Sequence, residues 1–158
     1  MVDSVEFAKH IINRTHALNK ERKTKKDKIT LGETKLHKLI YICDGLLLTT
    51  NRNLIGEKPK AWNYGPVYPR VSNWLKKDPD AFTKSYEDVS ETSSEIKEII
   101  PLIDAVIGGF GLWSASKLSN WSHGPGSPWE MALEKGSGLM NSVIDKNDMK
   151  KYFQEMTI

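Results

Sequence analysis

AWNYGPVYPRV, residues 61–71, sets two prolines three positions apart among three aromatics. Proline lacks a backbone N–H and fixes φ, so it breaks a helix interior. The first four N–H groups of a helix have no partner within the helix, however, and a proline among them forfeits no bond. Reading Pro66 as the cap or first helical residue, within two positions, leaves Pro69 in the same first turn. Val67, Val71 and Trp74 then share a face at i, i+4 and i+7, and Gly65 lets the chain turn sharply just before them. The stretch reads as a tight corner into a helix.

Helical patterning continues on both sides of that corner. Upstream, Asp3 or Ser4 caps a helix to about residue 20, with Phe7, Ile11 and Leu18 on one side. Thr34 is the cap expected for a second helix to about residue 50. Its 100° steps put Leu36, Leu39, Ile40, Cys43, Leu46 and Leu47 on one apolar face, with His37, Tyr41 and Asp44 as a polar stripe along the edge. Turn residues around two short apolar pairs suggest a small β-hairpin near residues 54–62. Downstream, residues 78–92 are polar and loop-like, with a short strand expected at 82–86. Ser93 or Ser94 caps a helix carrying Ile96, Ile99, Ile100, Ile103, Val106 and Ile107, which Pro101 should kink or restart. GGFG, residues 108–111, ends it. Ser114 caps a short helix to about residue 122. SPWE, residues 127–130, is a capping box with proline at the first position, and Gly136 and Gly138 end the helix it starts. Asp145 caps a last helix, over 145–156, with Met149, Tyr152 and Phe153 facing inward. The expectation is one mainly α domain over residues 1–158, a compact bundle of about seven helices.

Composition narrows the function classes. The chain has 158 residues, enough for one domain with a sizeable core. No apolar run approaches the roughly 20 residues that cross a bilayer, and the first ten residues do not have the pattern of a signal peptide. The single cysteine, Cys43, excludes an internal disulfide and argues against a cysteine-based zinc site. These features point to the cytoplasm and away from membranes. The net charge of +3 is mild, yet KERKTKKDK at residues 20–28 holds six of the 23 lysines and arginines. Such a run can grip a phosphate backbone by counterion release. No aromatics interleave it and no nucleic-acid-binding signature follows, so a solvated loop is the favoured reading and nucleic acid the lesser one.

Catalytic signatures are scarce. The four histidines are dispersed, with no H-E-x-x-H pair, and neither glycine-rich stretch has phosphate-loop spacing. No metal and no cofactor is expected. His37 beside Tyr41 and Asp44 can be read as an acid–base set or, more often, as a hydrogen-bonded rim. His123 follows a helix, where it can satisfy terminal carbonyls. The five tryptophans all fall near turns or helix ends, which suits corners of a core or anchors of an interface. Composition does not separate those two uses.

Three segments in series resemble the Panacea domain of the SocA-like antitoxin family, which is found in bacterial and phage genomes. TKLHKLIYICDG (34–45) contributes Lys35, Leu36, Lys38, Leu39 and Tyr41. AWNYGPVYPRV contributes Ala61, Trp62, Tyr64, Gly65, Pro66 and Val67. LSNWSHGPGSPW (118–129) contributes Leu118, Ser119, Ser122, His123, Pro128 and Trp129. The resemblance covers about residues 30–135, leaving an N-terminal helix and basic loop at 1–29 and the C-terminal helix outside it. It implies an antitoxin-like, non-enzymatic module that neutralises a cognate toxin or effector by direct contact, in some members as an adaptor to an AAA+ protease. The alternatives are a nucleic-acid binder using residues 20–28 and a phage-associated enzyme. Tyr68, Arg70 and Trp74, leaving the corner on the helix it begins, are the candidate partner-binding residues.

Overall fold

Helix α2 (Glu33–Thr49) is the axis of the molecule. The computed structural model describes residues 1–89 and 94–156. Residues 36–45 are buried without a gap, so the helix is enclosed on all sides. His37, Tyr41 and Asp44, expected along an edge, are therefore interior: a helical wheel distinguishes faces but does not count the elements that will cover them. Around α2 pack α1 (Ser4–Lys20), α4 (Ser94–Phe110), α5 (Ala115–Ser122) and α7 (Lys146–Glu155). Helix α3 (Pro69–Lys77) lies against α1 and α2, and α6 (Pro128–Lys135) against α7. The expected mainly α architecture is the observed one, with seven α-helices among the described residues. Among the described residues no single helix is long and apolar enough to cross a membrane.

Most helix starts are set by local chemistry. Asp3 accepts from the Val5 N–H, Ser114 from Lys117, Ser127 from Glu130, and Asp145 from Asn147 and Asp148. Helix α2 differs. Its cap is Gly32, which has no side chain to bond the first N–H groups, and Thr34 lies inside the first turn. At the other end of α2, Gly45 faces α7 so closely that a Cβ there would lie 2.2 Å from the Phe153 ring. Helix α4 runs through Pro101 without the restart that was one of the two expected outcomes. Pro101 stands on the solvent side with Lys97, so the carbonyl it leaves unbonded is on the exposed face. The expected cap at Ser93 lies outside the described residues.

A three-stranded antiparallel sheet carries the corner. Strand β1 (Lys60–Trp62) is central, between β2 (Gly65–Val67) and β3 (Ser142–Val143). The hairpin is thus displaced from 54–62 to 60–67, because Ala61 pairs with Pro66 and Asn63-Tyr64 makes the connection. Ile55 instead forms a parallel bridge with Val2. Pro66 lies in edge strand β2 and not at a helix start; an edge tolerates its missing N–H. The helix opens three residues later, with Tyr68 as cap and Pro69 in the first turn. Residues 82–86 form no strand. The Tyr86 backbone is satisfied by Asn13, whose side chain both donates to its carbonyl and accepts from its N–H.

Candidate functional site: a braced hairpin above two buried polar clusters

The three motif blocks converge on the β1–β2 hairpin. From below, Lys38 donates to the Pro66 carbonyl at 3.3 Å and His37 Nδ1 accepts the Tyr68 N–H at 3.2 Å. From the side, Ser119 donates to the Tyr64 carbonyl at 2.7 Å. Trp129 Nε1 donates to the Trp62 carbonyl at 2.7 Å, and Trp62 Nε1 donates to Asn141 at 2.9 Å. Gly65 has φ of 110°, and a Cβ there would meet Ser122 Oγ at 2.3 Å and Lys38 Cε at 2.9 Å. Glycine is required here by backbone conformation and by close approach alike.

The remaining motif residues serve the frame. Leu36, Leu39, Ala61 and Leu118 have no exposed surface, Val67 is buried, and Pro128 is buried at the start of α6. Lys35 holds the Gly111 carbonyl at 2.8 Å. Tyr41 packs edge-on against Phe153 and Trp121 at 5.4 and 6.2 Å. His123 was a candidate for holding helix-end carbonyls through its ring. Its backbone N–H meets the Ser119 carbonyl instead, while its imidazole packs 5.2 Å from Trp129 with Nδ1 unpartnered.

Beneath the hairpin lie two polar clusters on α2. In one, Asp44 accepts from the Tyr68 hydroxyl at 2.8 Å and faces Lys146 of α7 at 3.3 Å; Lys146 also donates to Asn53 and the Ile55 carbonyl. Burial pushes the Asp44 carboxyl above its ordinary range, against the pull of Lys146 and Tyr68. In the other, burial lowers His37 and brings Lys38 down to about 8. Glu33 Oε1 stands 3.7 Å from His37 Nε2, too far for a hydrogen bond, and accepts from Ser72 at 2.8 Å. Lys146, Glu33 and Ser72 were not singled out from sequence. Lys146 in particular lies 102 residues from Asp44, beyond the reach of any local pattern.

The Antitoxin SocA-like, Panacea domain family model matches residues 36–130, more than half of the chain. The chain belongs to this family. Its resemblance, carried by the three blocks, is the relationship the family model supports. No curated protein and no solved structure matches the chain.

On this Panacea domain the residues first considered for partner contact separate. Tyr68 has no accessible surface and is bonded on both sides, so it is a core residue and not a contact residue. Trp74 is half-buried, edge-on to Tyr86 at 5.8 Å. Arg70 is exposed and pairs with Asp3. Tyr64, by contrast, is 70% exposed at the hairpin tip. Tyr64 lines three clefts: one of about 450 Å³ with Asn120 and His123, one of about 370 Å³ with His37 and Lys38, and one of about 300 Å³ with Met140 and Asn141. The lysines at 20–28 are exposed, at the end of α1 and on the segment after it. Cys43 is buried, which pushes its thiol up and away from nucleophilic use.

Proposed function

We propose that this antitoxin-like chain neutralises a partner protein by direct contact, using the hairpin tip as its anchor and no catalysis of its own. The observation that carries the reading is Tyr64. A large aromatic held out to solvent by a frame bonded at Tyr64, Trp62 and Pro66 carbonyls loses little freedom on binding. Helix α3 extends the surface through Arg70. A toxin encoded beside this gene is the expected partner, met in the cytoplasm. Blocking the toxin is the simpler route, and delivery to a protease the other.

The test is binding and rescue with the neighbouring gene product. Tyr64→Ala should weaken binding about thirtyfold, as truncation of a central aromatic anchor by about 2 kcal/mol does, with the melting temperature unchanged. Arg70→Ala should weaken it less. Normal binding by both variants would place the contact elsewhere, and absence of any protein partner for the wild type would end the reading. Toxin abundance separates the routes: it stays constant under blocking and falls under protease delivery.

A further inference from the structure

The cleft between α2, α3 and the hairpin has an unusual floor. Lys38 is 1% exposed, and its ammonium, with three donors, has one acceptor among the described residues, the Pro66 carbonyl. His37 is equally buried. Its Nδ1 accepts the Tyr68 N–H, so the neutral ring carries its proton on Nε2, and Nε2 has no hydrogen-bond partner among the described residues. Adjacent residues thus present buried donors short of acceptors: Lys38 has one for three, and Glu33 Oε1 stands 3.7 Å from His37 Nε2, beyond hydrogen-bond range, a costly arrangement when nothing else meets them. Both line a cleft of about 370 Å³ whose walls are Trp62, Tyr64 and Val67. That volume is at the small end for ligand sites, which run from about 300 to 1,000 Å³.

Charge selects the ligand. Lys38 and Lys76 contribute two positive groups to the cleft and Glu33 one negative, its carboxylate engaged by Ser72. The first turn of α2 opens at the same place through Thr34, and its cap, Gly32, has no side chain to bond the N–H groups. Spare donors, a net positive charge and aromatic walls call for a flat, singly charged acceptor. A doubly charged phosphate would be opposed by Glu33 and gain nothing from the walls. We propose that this cleft binds a carboxylate presented by a partner polypeptide, with Lys38 and Lys76 as its cationic contacts and Trp62 and Tyr64 flanking the residue that carries it. The polypeptide source rests on the direct-contact reading above; carboxylate binding itself does not.

Peptides test it without a partner. Isotope-labelled protein is titrated with a hexapeptide ending in a free apolar residue, with its C-terminal amide, and with the amide containing one internal glutamate. Saturable shifts at the Trp62 indole and the His37 ring are expected from the carboxylate peptides, with the neutral amide at least about tenfold weaker. The stronger of the two carboxylate peptides identifies a chain end or an acidic side chain as the source. Lys38→Met should keep the fold and lose about tenfold or more in peptide affinity. Lys76→Met, at an exposed position, gives the same reading if Lys38→Met folds poorly. Equal binding of the neutral amide, or unchanged binding in both variants, overturns the site. Neutralisation measured in the same variants separates the two ideas. Its loss together with peptide binding supports the cleft as partner surface. Its persistence after peptide binding is lost overturns the polypeptide source and leaves direct contact standing.

Discussion

Asp44 and Lys38 lie six residues apart on α2, each at most 1% exposed, and they resolve burial in opposite ways. Asp44 has a hydroxyl, an ammonium and a closed network around it, drawn from β2's exit and from α7. Lys38 has one long bond, and its neighbour His37 keeps an unmet Nε2. A satisfied buried charge holds elements together; an unsatisfied one lowers stability and stays available to a ligand. The difference separates structural polarity from candidate function within a single helix.

Breaking the satisfied cluster should have the largest effect. Asp44→Ala takes the acceptor from the Tyr68 hydroxyl and the counter-charge from Lys146, and should cost about 3–5 kcal/mol in urea unfolding. Asp44→Asn, which resembles the protonated acid, should cost less than half of that. If the two variants are equally destabilised, charge and not hydrogen bonding dominates the cluster. Next comes the hairpin that covers Lys38. Gly65→Ala forces a side chain against Ser122 at a φ of 110°, and should cost about 1–3 kcal/mol by the same measurement.

The unsatisfied cluster should respond with the opposite sign. Lys38→Met removes a buried ammonium while keeping its stem, and should stabilise the fold by about 1–2 kcal/mol at pH 7. The pH dependence sharpens this. The folded value of about 8 lies below the unfolded 10.5, so between them the unfolded chain binds more protons. Stability from this residue should therefore rise as pH increases from about 8 to 10.5, by about 3 kcal/mol in all. That rise should be absent in Lys38→Met. A variant less stable than wild type would mean the bond to Pro66 outweighs desolvation. The smallest effect belongs to the exposed pair Arg70–Asp3: Arg70→Ala should leave the melting temperature unchanged, separating surface from frame.

What sequence reading reaches follows the same division. Caps at Asp3, Ser114, Ser127 and Asp145 are legible because each bonds within three residues of itself. The helix that opens at Pro69 is legible for another local reason: a proline in the first turn forfeits no helix bond. Pro66 is misassigned because its strand exists only through pairing with Ala61, and at the expected 82–86 strand the Tyr86 backbone bonds to the side chain of Asn13, 73 residues away. The polar stripe of His37, Tyr41 and Asp44 is visible as a pattern, but its burial depends on α7 and β2 closing over it. Tyr68 looked like a surface residue because its bonds to Asp44 and His37 are invisible until the hairpin is folded back.

Phe153 fills the notch that Gly45 leaves in α2, and Lys146 on the same helix completes the Asp44 cluster, yet both lie beyond residue 130, where the recognisable family segment stops. Grafting that segment alone into a fusion would transplant a central helix with an open slot and a stranded acid. Any exchange of this module between proteins must therefore carry a substitute for α7: the portable unit is larger than its signature, and each new host has to supply its own plug.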